Sequence, residues 1–200
     1  MSAQPPPFGD RRRRAVGLLG GSFNPAHAGH LHSSRAARRG LGLDQVWWLV
    51  SPQNPLKPAA GMAPIAERLT RARKLARDPE IRVTDLEARL GSTRTAAVVA
   101  ALKRRYPRMT FVWLMGADNL AQIPRWWRWI RLFRAVRVAV TDRSPYSYAA
   151  LFGQAATRLR RRRVAPRRLL DHDPPAWSFL AVRRHPASAT ALRRPGGSAP

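Results

Sequence analysis

The sequence predicts an α/β protein, a single domain in which helices cover both faces of a doubly wound, mainly parallel sheet. Three features carry this expectation. From Ala15 onward, short apolar runs alternate with helix-patterned segments, the signature of consecutive βαβ units. The segments between the runs are about the length that right-handed crossovers between parallel strands need. The first run is followed at once by a glycine-rich stretch, Gly20-Gly21-Ser22-Phe23-Asn24-Pro25, which leads into a helical pattern. At 200 residues the chain has the usual size of one domain and can bury a real apolar core.

Strands are expected at residues 15–19, 45–50, 81–83, 110–115, 136–141 and 177–182. The first helix is expected over 30–39, closed by Gly40. The second covers 64–77, with Pro64 near the first helical position, where a fixed φ helps and a missing N–H costs nothing. A third begins after Ser92 and runs to Arg105, stopped by Pro107, which disfavours helical backbone in the residue before it. An aromatic-rich stretch, 119–133, and a segment at 148–162 fill the last two crossovers. The basic segment 158–168 and the proline-rich link 171–175 read as solvated surface. The domain is placed at 15–193, between a basic tail at 1–14 and a breaker-rich tail at 194–200, both expected to be disordered.

The formal charge is +26, with 34 arginines and only three lysines. Such a charge attracts polyanions, whether nucleic acid, anionic membrane or phosphorylated substrates, although codon composition alone can produce the arginine skew. No zinc-finger or RNA-binding pattern is present and the arginines are spread over many segments, so no specific nucleic-acid partner is expected. No apolar run approaches the ~20 residues that span a bilayer, which speaks against a membrane partner. The arginines before Ala15 imitate a secretion signal, but the apolar stretch after them is short and runs into Gly20-Gly21. The absence of cysteine suits a reducing cytoplasm, the expected location. Oligomeric state is not legible in the sequence.

In doubly wound sheets ligands bind beyond the carboxyl ends of the strands, so residues just after each strand are the ones to inspect. After the first strand stand Gly20, Gly21, Ser22, Phe23 and Asn24, then His27-Ala28-Gly29-His30. Glycines let backbone approach a ligand, and a helix start offers unpaired amides to an anion. His27 and His30 are three apart and share one side of that helix start, where two imidazoles can hold phosphate oxygens. A zinc pair and two structural histidines are the alternatives; zinc would want further ligands, and no metal site is expected. Asp118, after Gly116, could accept hydrogen bonds from a ribose or cap a helix. Lys57 could pair with a phosphate or be a plain solvated lysine. Ser188 and Thr190 open a helical pattern with Arg193 behind them, a set that can face phosphate oxygens or form an ordinary capped surface helix. Trp126, Trp127 and Trp129 could stack on a flat ring or pack a core, whereas Trp47, Trp48 and Trp113 fall within strands and read as core.

Together these segments resemble the His-x-Gly-His nucleotidyltransferase superfamily, and within it the bacterial nicotinate mononucleotide adenylyltransferases. Residues 27–30 resemble the signature itself, and Ser51-Pro52-Gln53-Asn54-Pro55-Leu56-Lys57 a Pro-x-x-Pro-x-Lys loop. Gly116-Ala117-Asp118 resembles the family's Gly-x-Asp segment, Pro124-Arg125-Trp126 its Pro-x-Trp element, and Ser188-Ala189-Thr190-Ala191-Leu192-Arg193 its Ser-Ser-Thr-x-Ile-Arg motif. Two departures stand out: Arg94-Thr95-Ala96-Ala97-Val98 lies where the family has Tyr-Thr-x-x-Thr, and Ala189 replaces a usual serine.

The resemblance implies a Rossmann-like nucleotidyltransferase fold and adenylyl transfer from ATP to nicotinate mononucleotide, with Mg²⁺ arriving on the ATP. It implies catalytic roles for His27, His30 and Arg193. ATP would be bound by Gly20, Gly21, Ser22, Phe23, Asn24, His27, His30, Gly116, Asp118, Ser188, Thr190 and Arg193. The acceptor would be bound by Lys57, Thr95 and Trp126, with Trp126 facing the nicotinate ring. Nicotinamide mononucleotide and phosphopantetheine remain alternative acceptors, and a basic nucleic-acid-binding protein is the rival of a different class.

Overall fold

The computed structural model describes residues 12–52, 61–143 and 145–182. Within them the chain builds one six-stranded sheet from β1 (Ala15–Gly21), β2 (Gln45–Val50), β3 (Ile81–Thr84), β4 (Thr110–Gly116), β5 (Arg137–Thr141) and β6 (Trp177–Leu180). Their order across the sheet is β3-β2-β1-β4-β5-β6, and every neighbouring pair is parallel. The chain therefore winds outward from β1 to β3, returns to β4 on the other side of β1, and winds outward again. The reversal lies between β1 and β4, whose carboxyl ends flank the place where doubly wound sheets bind ligands.

Residue alternation explains why these runs are strands. In β2, Val46, Trp48 and Val50 enter the apolar layer on one face while Trp47 and Leu49 enter the layer on the other, so both sides of the strand are buried. In β4, Phe111, Trp113 and Met115 alternate in the same way with Val112 and Leu114. Trp47, Trp48 and Trp113 are all core residues, as their strand positions predict.

Helices α1 (Ala28–Leu41) and α2 (Ile65–Leu75) cover one face, and α3 (Leu86–Arg89), α4 (Thr95–Arg105), α5 (Ala117–Gln122) and α6 (Trp129–Ala135) cover the other. Two short helices, α7 (Ser147–Leu151) and α8 (Gln154–Arg158), follow β5. Helix α1 ends two residues later than expected. Gly40 stays inside it, and Gly42 terminates it with a left-handed φ of 68°, donating its N–H to the Arg38 carbonyl. The aromatic-rich stretch 119–133 falls into parts: α5 tightens into a 3-10 turn at Ile123–Arg125, and Arg128, at φ 51°, breaks the chain direction before α6.

The link before β6 is more than solvated surface. The arginines of 158–168 are exposed, but Pro166–Asp171 forms a 3-10 helix that buries Leu169, and the Arg137 guanidinium holds the His172 carbonyl at 2.6 Å. No helix among the described residues is long and apolar enough to cross a membrane.

Candidate active site

Strand β1 runs two residues further than expected and includes Gly20 and Gly21. The missing side chain of Gly20 makes room for protein: a Cβ there would stand 2.6 Å from the outer edge of the Trp113 indole. Beyond the strand, Phe23 adopts a left-handed φ of 48°, which costs a non-glycine residue roughly 1–2 kcal/mol. Packing offsets it. The Phe23 ring is buried and stacks on Trp48 at 5.0 Å between centroids, and the Trp48 indole N–H donates to Ser34 Oγ of α1 at 2.8 Å. The loop is thereby fixed to the helix that follows it.

His27 occupies the N-cap of α1 in extended conformation, and His30 lies one turn in. Their rings are 3.9 Å apart, with His30 also 4.8 Å from Phe23. The His27 backbone N–H donates to Nδ1 of His30 at 3.2 Å. Because Nδ1 accepts, a neutral His30 carries its proton on Nε2, which leaves that edge as a donor. The structure thus joins two imidazoles to the first-turn amides of a fourteen-residue helix, with the positive end of the helix dipole behind them.

Asn24 faces the chain ahead of α2: its amide donates to the Gly61 carbonyl at 2.9 Å and accepts from the Ala63 N–H at 3.3 Å. Across the switch point, Gly116 ends β4 and is the N-cap of α5, and Asp118 lies in the first turn. The Asp118 carboxylate meets the Arg143 guanidinium at 3.2 and 3.5 Å. Arg143, just after β5, is a site neighbour that the sequence reading did not single out.

Thr95 is the first residue of α4, and Trp126 follows the 3-10 turn after α5, half-buried against the core. Between them lies a contact that joins their two segments: Arg94 stacks on the Trp127 indole at 4.6 Å, and Arg128 covers that ring at 4.4 Å. Lys57, Ser188, Thr190 and Arg193 lie outside the described residues.

Sequence reasoning missed two buried charged groups here. Arg68 of α2 bonds to four backbone carbonyls, those of Ser22, Ser51, Pro52 and Ala63. Its signal was its place in the apolar stripe formed by Ile65, Leu69 and Ala72, where an arginine must find buried acceptors. Glu87 of α3 is buried beside Ser51, and burial pushes its pKa up to about 7 against a hydrogen bond from the Ser51 side chain.

Among the described residues no group of three or more histidines and carboxylates could hold a metal ion. That donor set fits Mg²⁺ only as an ion carried on nucleotide phosphates, which is how Mg²⁺ commonly enters such sites with most of its waters kept.

A parallel doubly wound sheet with paired imidazoles and helix-start amides at its switch point defines a protein of the nucleotide-handling α/β class. The comparisons give the family. Residues 18–195 match the cytidylyltransferase-like family. The chain is 52% identical to a probable nicotinate-nucleotide adenylyltransferase of Parvibaculum lavamentivorans, covering 91% of this chain and 92% of the relative. It is 51% identical to one of Gluconobacter oxydans, covering 90% and 94%. In fold it is similar to the nicotinic acid mononucleotide adenylyltransferase of Plasmodium falciparum complexed with NaAD, with a TM-score of 0.69 at 15% identity over 90% of this chain and 83% of that one. The chain belongs to the cytidylyltransferase-like family and, within it, to the nicotinate-nucleotide adenylyltransferases.

Proposed function

We propose that this chain transfers the adenylyl group of ATP to nicotinate mononucleotide, releasing pyrophosphate and forming nicotinate adenine dinucleotide, a step of NAD synthesis in the cytoplasm. The observation that carries the reading is the pairing of His27 and His30 at the first turn of α1, beside the β1–β4 switch point. The acceptor's 5′-phosphate oxygen is already anionic, so the reaction needs no general base. It attacks the α-phosphorus in line, the new P–O bond forms as the α–β bridge breaks, and the electron pair leaves with pyrophosphate. No covalent enzyme intermediate is involved.

The chain's own contribution is alignment and charge neutralisation. The Nε2 edge of His30 donates to a phosphate oxygen, His27 lines the same helix start, and the loop at Gly20, Gly21, Ser22 and Phe23 borders the nucleotide. Asn24 holds that loop against the start of α2. Ser188, Thr190 and Arg193 supply further phosphate contacts, by family resemblance. Gly116 and Asp118 border the adenosine side, with Arg143 orienting the carboxylate. Mg²⁺ bound with ATP neutralises charge on the phosphates.

Lys57, Thr95 and Trp126 take the acceptor. The Arg94–Trp127 contact supports a pyridine carboxylate as its distinguishing group, since it sets a guanidinium between the segments of Thr95 and Trp126 where the family's tyrosine is missing. The test is to offer nicotinate mononucleotide, nicotinamide mononucleotide and phosphopantetheine in parallel, with Mg²⁺ and ATP, and follow pyrophosphate release. The first acceptor should give the highest kcat/KM. Release with none of them would overturn the enzymatic reading, and preference for phosphopantetheine would overturn the acceptor.

A further inference from the structure

Among the described residues no charged side chain is buried more deeply than Arg68, at 2% exposure. Its guanidinium binds three stretches of backbone at once. Nη1 donates to the Ser22 carbonyl at 2.6 Å and to the Ser51 carbonyl at 2.8 Å, Nη2 donates to the Pro52 carbonyl at 2.9 Å, and Nε donates to the Ala63 carbonyl at 2.8 Å. These are the loop after β1, the turn after β2 and the residue two before α2. Burial lowers the pKa of Arg68, the direction expected of a cation that has lost its water.

Burying a cation against neutral carbonyl dipoles is costly, and an apolar side chain in the α2 stripe would serve packing alone at less cost. What an apolar side chain would not do is orient backbone. A trans peptide is planar, so its C=O and N–H point to opposite sides. Drawing the Ser22 carbonyl onto Arg68 therefore turns the Phe23 N–H away from Arg68, on a residue whose left-handed φ places it in the type of backbone that forms anion-binding nests. The same guanidinium ties that peptide to the turn after β2, adding to the Ser51 N–H bond to the Gly21 carbonyl at 2.9 Å.

We propose that Arg68 is a positioning residue for adenylyl transfer, orienting the Ser22–Phe23 peptide toward the phosphates and fixing the spacing between the loop after β1 and the turn after β2. The role rests on the functional reading above. It acts through backbone, so Arg68 itself contacts no substrate.

The test compares wild type with Arg68→Lys and Arg68→Met in steady-state kinetics with both substrates varied and rates normalised to folded protein by thermal melt and circular dichroism. Lysine keeps the charge but lacks the planar fork, so it cannot hold all the carbonyls in place. The folded lysine variant should lose about 10-fold or more in kcat, with a several-fold rise in the KM for ATP, because sub-ångström misalignment is amplified in an in-line reaction. Folded variants with wild-type kcat and both KM values unchanged would overturn the proposal and leave Arg68 a stabilising residue. Failure of both variants to fold would overturn it equally. If wild type itself shows no turnover, the functional reading fails and not the clamp. Calorimetric titration of ATP into wild type and Arg68→Lys then decides the clamp, by weaker binding in the variant or equal binding in both.

Discussion

The Arg94 guanidinium lies 4.6 Å from the centre of the Trp127 indole and the Arg128 guanidinium 4.4 Å from it, so this ring, 45% exposed, meets two cations. Those two contacts make Trp127 a platform for Arg94 and Arg128. Trp126, beside it and half-buried against the core, is the ring proposed above for the pyridine.

Arg94→Ala should therefore raise the KM for nicotinate mononucleotide about 10-fold and leave the KM for ATP unchanged, the scale of one partly solvated charge-assisted hydrogen bond. It should also narrow the preference over nicotinamide mononucleotide, which lacks the carboxylate. Unchanged discrimination between the two acceptors would remove Arg94 from recognition.

For His30→Ala the expected change is in turnover. Losing the donor proposed for the transferring phosphate should lower kcat by about 100-fold with little change in KM. Trp126→Ala should do the reverse, raising the acceptor KM about 10-fold through lost stacking while kcat stays within a few-fold. Initial-rate measurements separate the two, and a shared phenotype would mean that the site has been divided wrongly.

The strands were legible as short apolar runs, most fully in Val46-Trp47-Trp48-Leu49-Val50, where a parallel strand is enclosed on both faces, and less fully in Ile81-Arg82-Val83-Thr84. The histidine pair was legible because its spacing and its place after β1 are local. Arg68 was not. Arginine is ordinarily a solvated helix residue, and its partners Ser22 and Ser51 are 46 and 17 residues away, a relation that only the closed sheet creates. The break in 119–133 was half legible: Pro124 stops α5 as Pro107 stops α4, whereas the left-handed φ of Arg128 is not announced by residue type. Leu86–Arg89 is too short a helix for any periodicity to show.

Glu87 gives the stability curve a defined pH dependence. Burial raises its pKa from the ordinary 4.5 to about 7, so between those values the folded protein keeps a proton that the unfolded chain has released. Stability from this group is therefore complete below pH 4.5 and declines as the pH rises through 7, by on the order of 2–3 kcal/mol. Glu87→Gln, which stays neutral, should melt roughly 5–10 °C above wild type at pH 8. Near pH 5 the gap should nearly close. A difference in melting temperature that is the same at both pH values would show that Glu87 does not titrate in this range.

Gly20 gives the most direct test of how the core supports the site. A Cβ there would stand 2.6 Å from the edge of the Trp113 indole, and Trp113 is buried, with no solvent to swing into. Gly20→Ala should cost about 1–3 kcal/mol by overpacking, read from denaturant midpoints. It should also raise the KM for ATP, since the strain enters β1 just before the loop proposed to border the phosphates. If the contact with Trp113 is the cause, shortening the ring relieves it. In a Trp113→Phe background the same Gly20→Ala change should cost at least about 1 kcal/mol less, a coupling expected only of residues in direct contact. Additive effects would place the cost in the strand backbone, where a Cβ at Gly20 would act without Trp113.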